Sequence, residues 1–295
     1  VRGAVLPGYR RVARPARIQA GILAGVSLAR RLVRGEAPIL NRRIAVAAAL
    51  TGALLAILLV APHLPTPTSE AQLRAHAYAT HLVWFTIATM LCATIAGWWS
   101  ISRRAMAFSI VGACAMVVVT IGLDVDALSD IAKIWFGALA GAAFVRAIER
   151  PWWMLPIVIC VPLADAWSVF SSRGVTNAVI KRAQDEPRWI EWPTIASPIA
   201  GVPYELFGRI GTVDVLFLTL FLAVATRWKL GIRRTVVALV IGLVATTVFV
   251  FELDDIAIPA LPMLCLAFLA ACAPSLVRDL RSAMQQGPPS NPSPR

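Results

Sequence analysis

The sequence predicts an all-α fold, a polytopic transmembrane helix bundle of about eight spans, and three observations predict it. The 295 residues are 58% hydrophobic and 15% charged, with mean hydropathy +0.72, whereas globular chains carry about 25% charged residues. The apolar side chains fall in repeated windows of roughly 17 to 25 residues, the length a helix needs to cross about 30 Å of hydrocarbon. Arginines cluster beside those windows, as they do in juxtamembrane loops.

The formal net charge of +12 would suggest nucleic acid in a soluble protein. Here anionic lipid and the cytoplasmic bias of basic loops account for it, so membrane lipids are expected partners and nucleic acid is not. Cys92, Cys114, Cys160, Cys265 and Cys272 all lie in apolar windows without metal-binding spacing. They read as small core hydrophobes. High Ala, Arg and Gly content, with valine first, fits a bacterial chain from a GC-rich genome with an alternative start codon.

Residues 1–43 form a basic N-terminal segment with Arg10, Arg11, Arg14, Arg17, Arg30, Arg31, Arg34, Arg42 and Arg43. The stretch IQAGILAGVSLARRLV inside it is too short and interrupted to span, and predicts a surface-lying amphipathic helix. Residues 44–150 hold four spans: Ile44 to Ala61, Tyr78 to Trp99, Ala105 to Leu123 and Leu128 to Val145. The Pro/Thr stretch PHLPTPTSE separates the first two, Arg103 and Arg104 the next two, and a link with Asp124, Asp126 and Asp130 the last two. Lys133, one turn after Asp130, is expected to snorkel or pair with it. Residues 151–273 hold a second set of four, with a long polar loop at 171–208. Its spans are Trp152 to Phe170, Arg209 to Thr226, Thr235 to Phe251 and Ile256 to Ala273. Residues 274–295, ending QQGPPSNPSPR, are too rich in Pro, Ser and Gln to pack and are expected to be a disordered cytoplasmic tail. Gly137, Gly141, Gly231 and Gly242 are expected to permit close helix approach.

Counting segments alternately inside and outside sorts the charges. The arginine-rich N-terminus, Arg103 with Arg104, Arg146 with Arg150, the Arg227 to Arg234 cluster, and Arg278 with Arg281 fall on one side. The Pro/Thr stretch, the Asp124 to Asp130 link, the long loop, and Glu252, Asp254 and Asp255, the last three read as headgroup-level acids, fall on the other. Short basic loops are normally cytoplasmic, so the reading is a multi-pass cytoplasmic-membrane protein with both termini inside.

Two carboxylates stand inside consecutive spans: Asp165 in PWWMLPIVICVPLADAWSVF and Asp214 in RIGTVDVLFLTLFLAVATRW. Charge in hydrocarbon is costly enough that such residues are functional candidates. Each lies about five residues, roughly 8 Å of helix, from the outer end of its span. Their depths match, though sequence alone does not fix their azimuths. The eighth span begins in the same layer with IPALPML, where Pro259 and Pro262 are expected to prevent a regular first turn.

These residues resemble the intramembrane aspartyl proteases, the presenilin and signal peptide peptidase superfamily. The family carries Tyr-Asp, Gly-x-Gly-Asp and Pro-Ala-Leu motifs in that order. Here Ala164-Asp165 is followed by Val169 and Phe170, similar to the Val-Phe of signal peptide peptidases; Gly211-Thr212-Val213-Asp214 and Pro259-Ala260-Leu261 follow. Alanine stands where the family has tyrosine, and Val213 where it has its second glycine. The likeness covers about residues 150 to 273; family members generally have nine spans, and loss of one upstream helix accounts for eight.

The resemblance implies Asp165 and Asp214 as catalytic pair, with Gly211, Pro259, Ala260 and Leu261 binding the substrate, and no cofactor. At about 3 Å separation two carboxylates cannot both ionise comfortably and share a proton. One then activates water while the other protonates the scissile carbonyl. A metal is not required, and His63, His76 and His81 form no paired ligand motif. The substrate implied is a transmembrane helix that must unwind before its carbonyl can be reached. IEWPTIASPI can receive it by strand addition, or equally form an interfacial cap anchored by Trp189 and Trp192. Two alternatives stay open. Paired intramembrane acids also serve proton-coupled transporters, and Ala164 with Val213 suits an inactive family member that binds transmembrane helices.

Overall fold

The computed structural model describes residues 37–186, 191–204, 207–253 and 259–285. The expected N-terminal amphipathic helix, Trp189, Asp254, Asp255 and the Pro-rich end of the tail lie outside the described residues. The chain divides into two compact units, residues 1–46 and 47–295. The described part of the first is the opening of a helix; the bundle below belongs to the second.

The described residues form nine α-helices and one small sheet: α1 (Ala37–Val60), α2 (Glu70–Ala96), α3 (Arg103–Gly122), α4 (Asp126–Phe144), α5 (Met154–Phe170), α6 (Val175–Asp185), β1 (Thr194–Ser197), β2 (Gly208–Gly211), α7 (Thr212–Arg227), α8 (Ile232–Glu252) and α9 (Ala260–Gln285). Seven helical segments are long and apolar enough to cross a bilayer. The exception among the expected spans is α7, which has 16 residues.

Local chemistry explains the helix starts. The Ser69 hydroxyl accepts from Gln72 N at 3.3 Å ahead of α2, and Ser102 accepts from Ala105 N at 3.2 Å ahead of α3, each satisfying an amide with no intrahelical partner. Within the apolar helices, Thr51, Thr94, Thr226 and Thr246 return their hydroxyls to the carbonyl four residues earlier at 2.8, 2.8, 2.8 and 3.0 Å. That leaves no hydroxyl proton of these residues facing hydrocarbon.

Helix α7 is the axis of the bundle, with Leu218 through Ala225 all buried. It packs most extensively on α4. The contact depends on Gly137 and Gly141: a Cβ at Gly141 would stand 2.3 Å from Leu216 O, and one at Gly137 2.9 Å from Thr212 O. Gly141→Ala is therefore expected to push the two helices apart and destabilise the fold by about 1–3 kcal/mol, the usual cost of overpacking; thermal unfolding in detergent measures it. Gly242 meets Ala267 and Met263 of α9 in the same manner. Gly231 differs from expectation: with φ +97° ahead of α8 it supplies a left-handed turn, and no neighbouring helix approaches it as closely as its own Arg234.

Other expectations are corrected as well. Helix α2 starts at Glu70 because Arg74, His76, Tyr78 and His81 find partners in the fold. The 171–208 segment is not plain loop, since it contains α6, β1 and the start of β2. Residues 208–211, expected to open the sixth helix at Arg209, are strand. Helix α9 continues through Pro274 to Gln285, where a disordered tail was expected. Its first turn is regular from Ala260: Pro262 sits where a missing N–H has no intrahelical acceptor to lose. Cys92, Cys265 and Cys272 are buried, but Cys114 on α3 and Cys160 on α5 are exposed on the outer, apolar surface. That surface, with Phe108 and Met116 on α3 and Leu163 and Trp167 on α5, suits contact with acyl chains.

Candidate active site

Asp214 is the third residue of α7, and its Oδ2 accepts the Gly211 N–H at 2.8 Å. A carboxylate there receives the N-cap amide and faces the positive end of the helix dipole, which by itself is ordinary helix-start chemistry. What sets this residue apart is its surroundings. Asp214 is 9% exposed, and the charge of Asp165 acts on it from α5. Asp165 lies five residues before the end of α5, and its Oδ2 is buried without a hydrogen-bond partner. Cys265 on α9 is buried and feels both aspartates.

Helix α9, whose first turn holds Ala260 and Leu261, packs on both α5 and α7, the helices that carry the two acids. Pro259 immediately precedes that turn. The sequence pointed to Asp165, Asp214, Gly211 and the Pro259 to Leu261 segment separately; the fold sets Gly211 against Asp214 and packs α9 on the helices that carry the two acids. Cys265 was not foreseen as a neighbour, although its spacing of four from Leu261 puts both on one helix face. Pro162 inside α5 also went unused: it withholds a backbone donor one turn before Asp165.

The strand pair sits directly upstream of Asp214. Its register is antiparallel, Thr194 opposite Gly211 and Ser197 opposite Gly208, and Thr212 N donates to Pro193 O at 2.8 Å. Because hydrogen-bonded pairs alternate, Ile195/Ile210 and Ser197/Gly208 exchange bonds. Arg209 and Gly211 then face the outer edge of β2. Gly211 N–H is taken by Asp214, while Arg209 presents its main-chain N–H and C=O beyond the two-stranded sheet. A Cβ at Gly211 would lie 2.9 Å from Asp214 Oδ2, so glycine keeps the carboxylate where it is.

On the opposite edge, β1 is held by side chains in place of a third strand. Lys133 Nζ donates to Thr194 O at 2.9 Å, Glu191 O at 2.6 Å and Asp130 Oδ1 at 3.2 Å. Asp130 Oδ2 accepts from Ala196 N at 3.0 Å and from the Tyr204 hydroxyl. The expected pairing of Lys133 with Asp130 is present, but the snorkelling is not: their side chains are 4% and 1% exposed. Burial, and then the Asp130 charge, raises the Tyr204 phenol above its usual pKa, which keeps it a proton donor. From α2, His76 Nδ1 meets Ala200 O at 2.9 Å and His81 Nε2 meets Ser197 O at 3.3 Å. These polar residues inside apolar windows were the legible signal of a pinned loop. Trp192 is exposed, whereas Ile195 and Ala196 are buried in the core.

Charge sorts to the two ends of the bundle. At the end of α3, a cavity of about 280 Å³ is lined by Asp124, Asp126, Asp130, Lys133, Glu191 and Arg209, among others; separately, Glu252 at the end of α8 pairs with Arg74 at 3.2 Å. At the start of α3, Arg103, Arg146 and Arg227 share a cleft. Among the described residues no group of three or more His, Cys, Asp or Glu side chains is arranged to hold a metal ion. No protein-family model matches the sequence, and no curated protein aligns with it significantly.

Proposed function

We propose that this chain is an intramembrane aspartic endopeptidase, a bacterial relative of the presenilin and signal peptide peptidase superfamily, cutting peptide bonds within or near transmembrane helices. The observation that supports the reading is the order of the separate motifs, Asp165 on α5, Gly211 to Asp214 at the start of α7 and Pro259 to Leu261 at the start of α9, with α9 packed on both other helices. Asp165 and Asp214 act as general base and general acid. One takes a proton from water as it attacks the scissile carbonyl and the other protonates that oxygen. The resulting diol collapses with proton transfer to the leaving nitrogen. The unwound substrate adds as a strand to the outer edge of β2 at Arg209, and Ala260 and Leu261 bound the groove on the far side. An edge strand running straight into Asp214 supports this, since main-chain pairing there would present a peptide bond close to the acid.

The protein resides in the cytoplasmic membrane with both termini on the cytoplasmic face. The gathering of arginines at one end of the bundle supports that orientation, and single cysteines placed in the loops test it: external labelling of the Arg227 to Arg234 loop would overturn it.

Purified full-length protein in detergent, given a helical transmembrane peptide, is expected to release two fragments that mass spectrometry assigns to a cut inside the helix. Proton-coupled flux in proteoliposomes with the peptide left intact would establish a carrier instead; peptide binding without cleavage would establish a helix-binding protein. Gly211→Ala is expected to lower the cleavage rate about tenfold, because the new methyl displaces Asp214 and misplacements of about 1 Å cost that much or more.

A further inference from the structure

The cleft at the start of α3, about 320 Å³ in volume, is lined by Trp99, Ser100, Ile101, Arg103, Arg146 and Arg227. Three guanidinium groups meet there. Arg146 is fixed by donating from Nε to Trp99 O at 2.8 Å and from Nη2 to Ile101 O at 2.6 Å. Arg227 donates from Nη1 to Val145 O at 2.6 Å and to Ile148 O at 2.8 Å. Its guanidinium lies 5.3 Å from the Trp99 ring centre and 4.4 Å from that of Trp228. Among the described residues no carboxylate pairs with Arg103, Arg146 or Arg227. Arg146 instead feels the like charge of Arg103. Two arginines are thus held rigid by backbone carbonyls, with Arg146 Nη1 and Arg227 Nε and Nη2 left over, and a third, exposed arginine completes the rim.

We propose that this cleft is a phosphate-binding site, recognising the phosphate of an anionic lipid headgroup or free phosphate. Preorganised guanidinium forks match the tetrahedral oxygens of phosphate, and a dianionic or monoanionic ligand offsets the mutual repulsion of the three cations. The position suits a lipid: the cleft opens at the ends of three membrane-crossing segments and of α7, beside tryptophans of the kind that mark the interface. The exposed apolar residues Phe108 and Val111 further along α3 offer a path for acyl chains. The inference is independent of any catalysis by Asp165 and Asp214.

The test is native mass spectrometry of the full-length protein in detergent, titrated with phosphatidylglycerol, with phosphatidylcholine, and with phosphatidylglycerol plus millimolar inorganic phosphate. One phosphatidylglycerol is expected to bind at least about tenfold more tightly than phosphatidylcholine, and Arg103→Gln, which removes an arginine that holds no backbone group, to cut that preference about tenfold. Arg104→Gln, the exposed neighbour outside the cleft, is expected to leave it unchanged. Displacement of the lipid by inorganic phosphate would show that the phosphate group alone is read; resistance to displacement would show that the anchored lipid is the ligand. Equal binding of the two lipids, or equal losses in the two variants, would reduce the cleft to diffuse surface charge and overturn the proposal.

Discussion

Replacing Asp214 by asparagine is expected to lower the cleavage rate of a transmembrane peptide by about 10²–10⁴-fold, the range over which a positioned acid or base contributes. The substitution separates chemistry from architecture. An asparagine carbonyl still accepts the Gly211 N–H that Asp214 Oδ2 accepts at 2.8 Å, so the start of α7 stays capped and the thermal unfolding midpoint moves little. Asp165→Asn is expected to match it in rate loss, because a pair acting on one proton fails when either member is amidated. The two losses should be far from additive in the double variant, as for residues that work as a unit. Cleavage surviving either substitution would remove the carboxylate pair from the mechanism.

Replacing Lys133 by methionine is expected to destabilise the fold by about 3–5 kcal/mol, the cost of breaking a buried ion pair on one side. The ammonium serves three acceptors at 3.2, 2.6 and 2.9 Å, and its loss strands the Asp130 carboxylate and two carbonyls away from water. Asp130→Leu is expected to be comparably severe, since it takes the counter-charge from Lys133 and leaves Ala196 N and the Tyr204 hydroxyl without their acceptor. The double replacement should cost less than the sum of the singles, because no uncompensated charge remains. It should not be neutral, because the β1 edge groups still lack partners. Chemical unfolding in detergent measures all three. Cleavage is expected to fall in the double variant even where it remains folded, since β1 holds β2 and β2 leads into Asp214.

Much of the bundle was legible because bilayer spans announce themselves by length and hydropathy alone. Ala105 to Leu123 and Trp152 to Phe170 fall within a few residues of the observed helices, each being a continuous apolar run with clear ends, whereas α1 begins at Ala37, well before the expected Ile44. The boundaries failed where polar residues enter an apolar window. Arg74 and His76 looked like the end of hydrophobicity before α2. In the fold they reach Glu252 and Ala200 O, partners 124 or more positions away. Lys133 misled for the same reason: one turn from Asp130 and near a span end, it has the pattern of a snorkelling side chain, and only the return of the 191–197 segment onto α4 makes it a buried anchor. The strand at 208–211 was hidden because RIG and the apolar run after it share a hydropathy profile with a helix, and an edge partner such as β1 cannot be read from local composition.

The sequence by itself determined the helical class with its long apolar segments, the clustering of basic residues between particular spans, and one acid inside each of two consecutive apolar segments, because burial in hydrocarbon constrains each segment independently of the others. The tertiary structure alone decided that α9 lies between α5 and α7 as their common packing partner, that β1 is secured by Asp130 and Lys133, and that Arg103, Arg146 and Arg227 share one cleft. Those facts depend on the azimuth of each helix. Azimuth is set by side-chain packing between segments distant in the chain, such as Gly141 against Leu216, and no single segment carries that information.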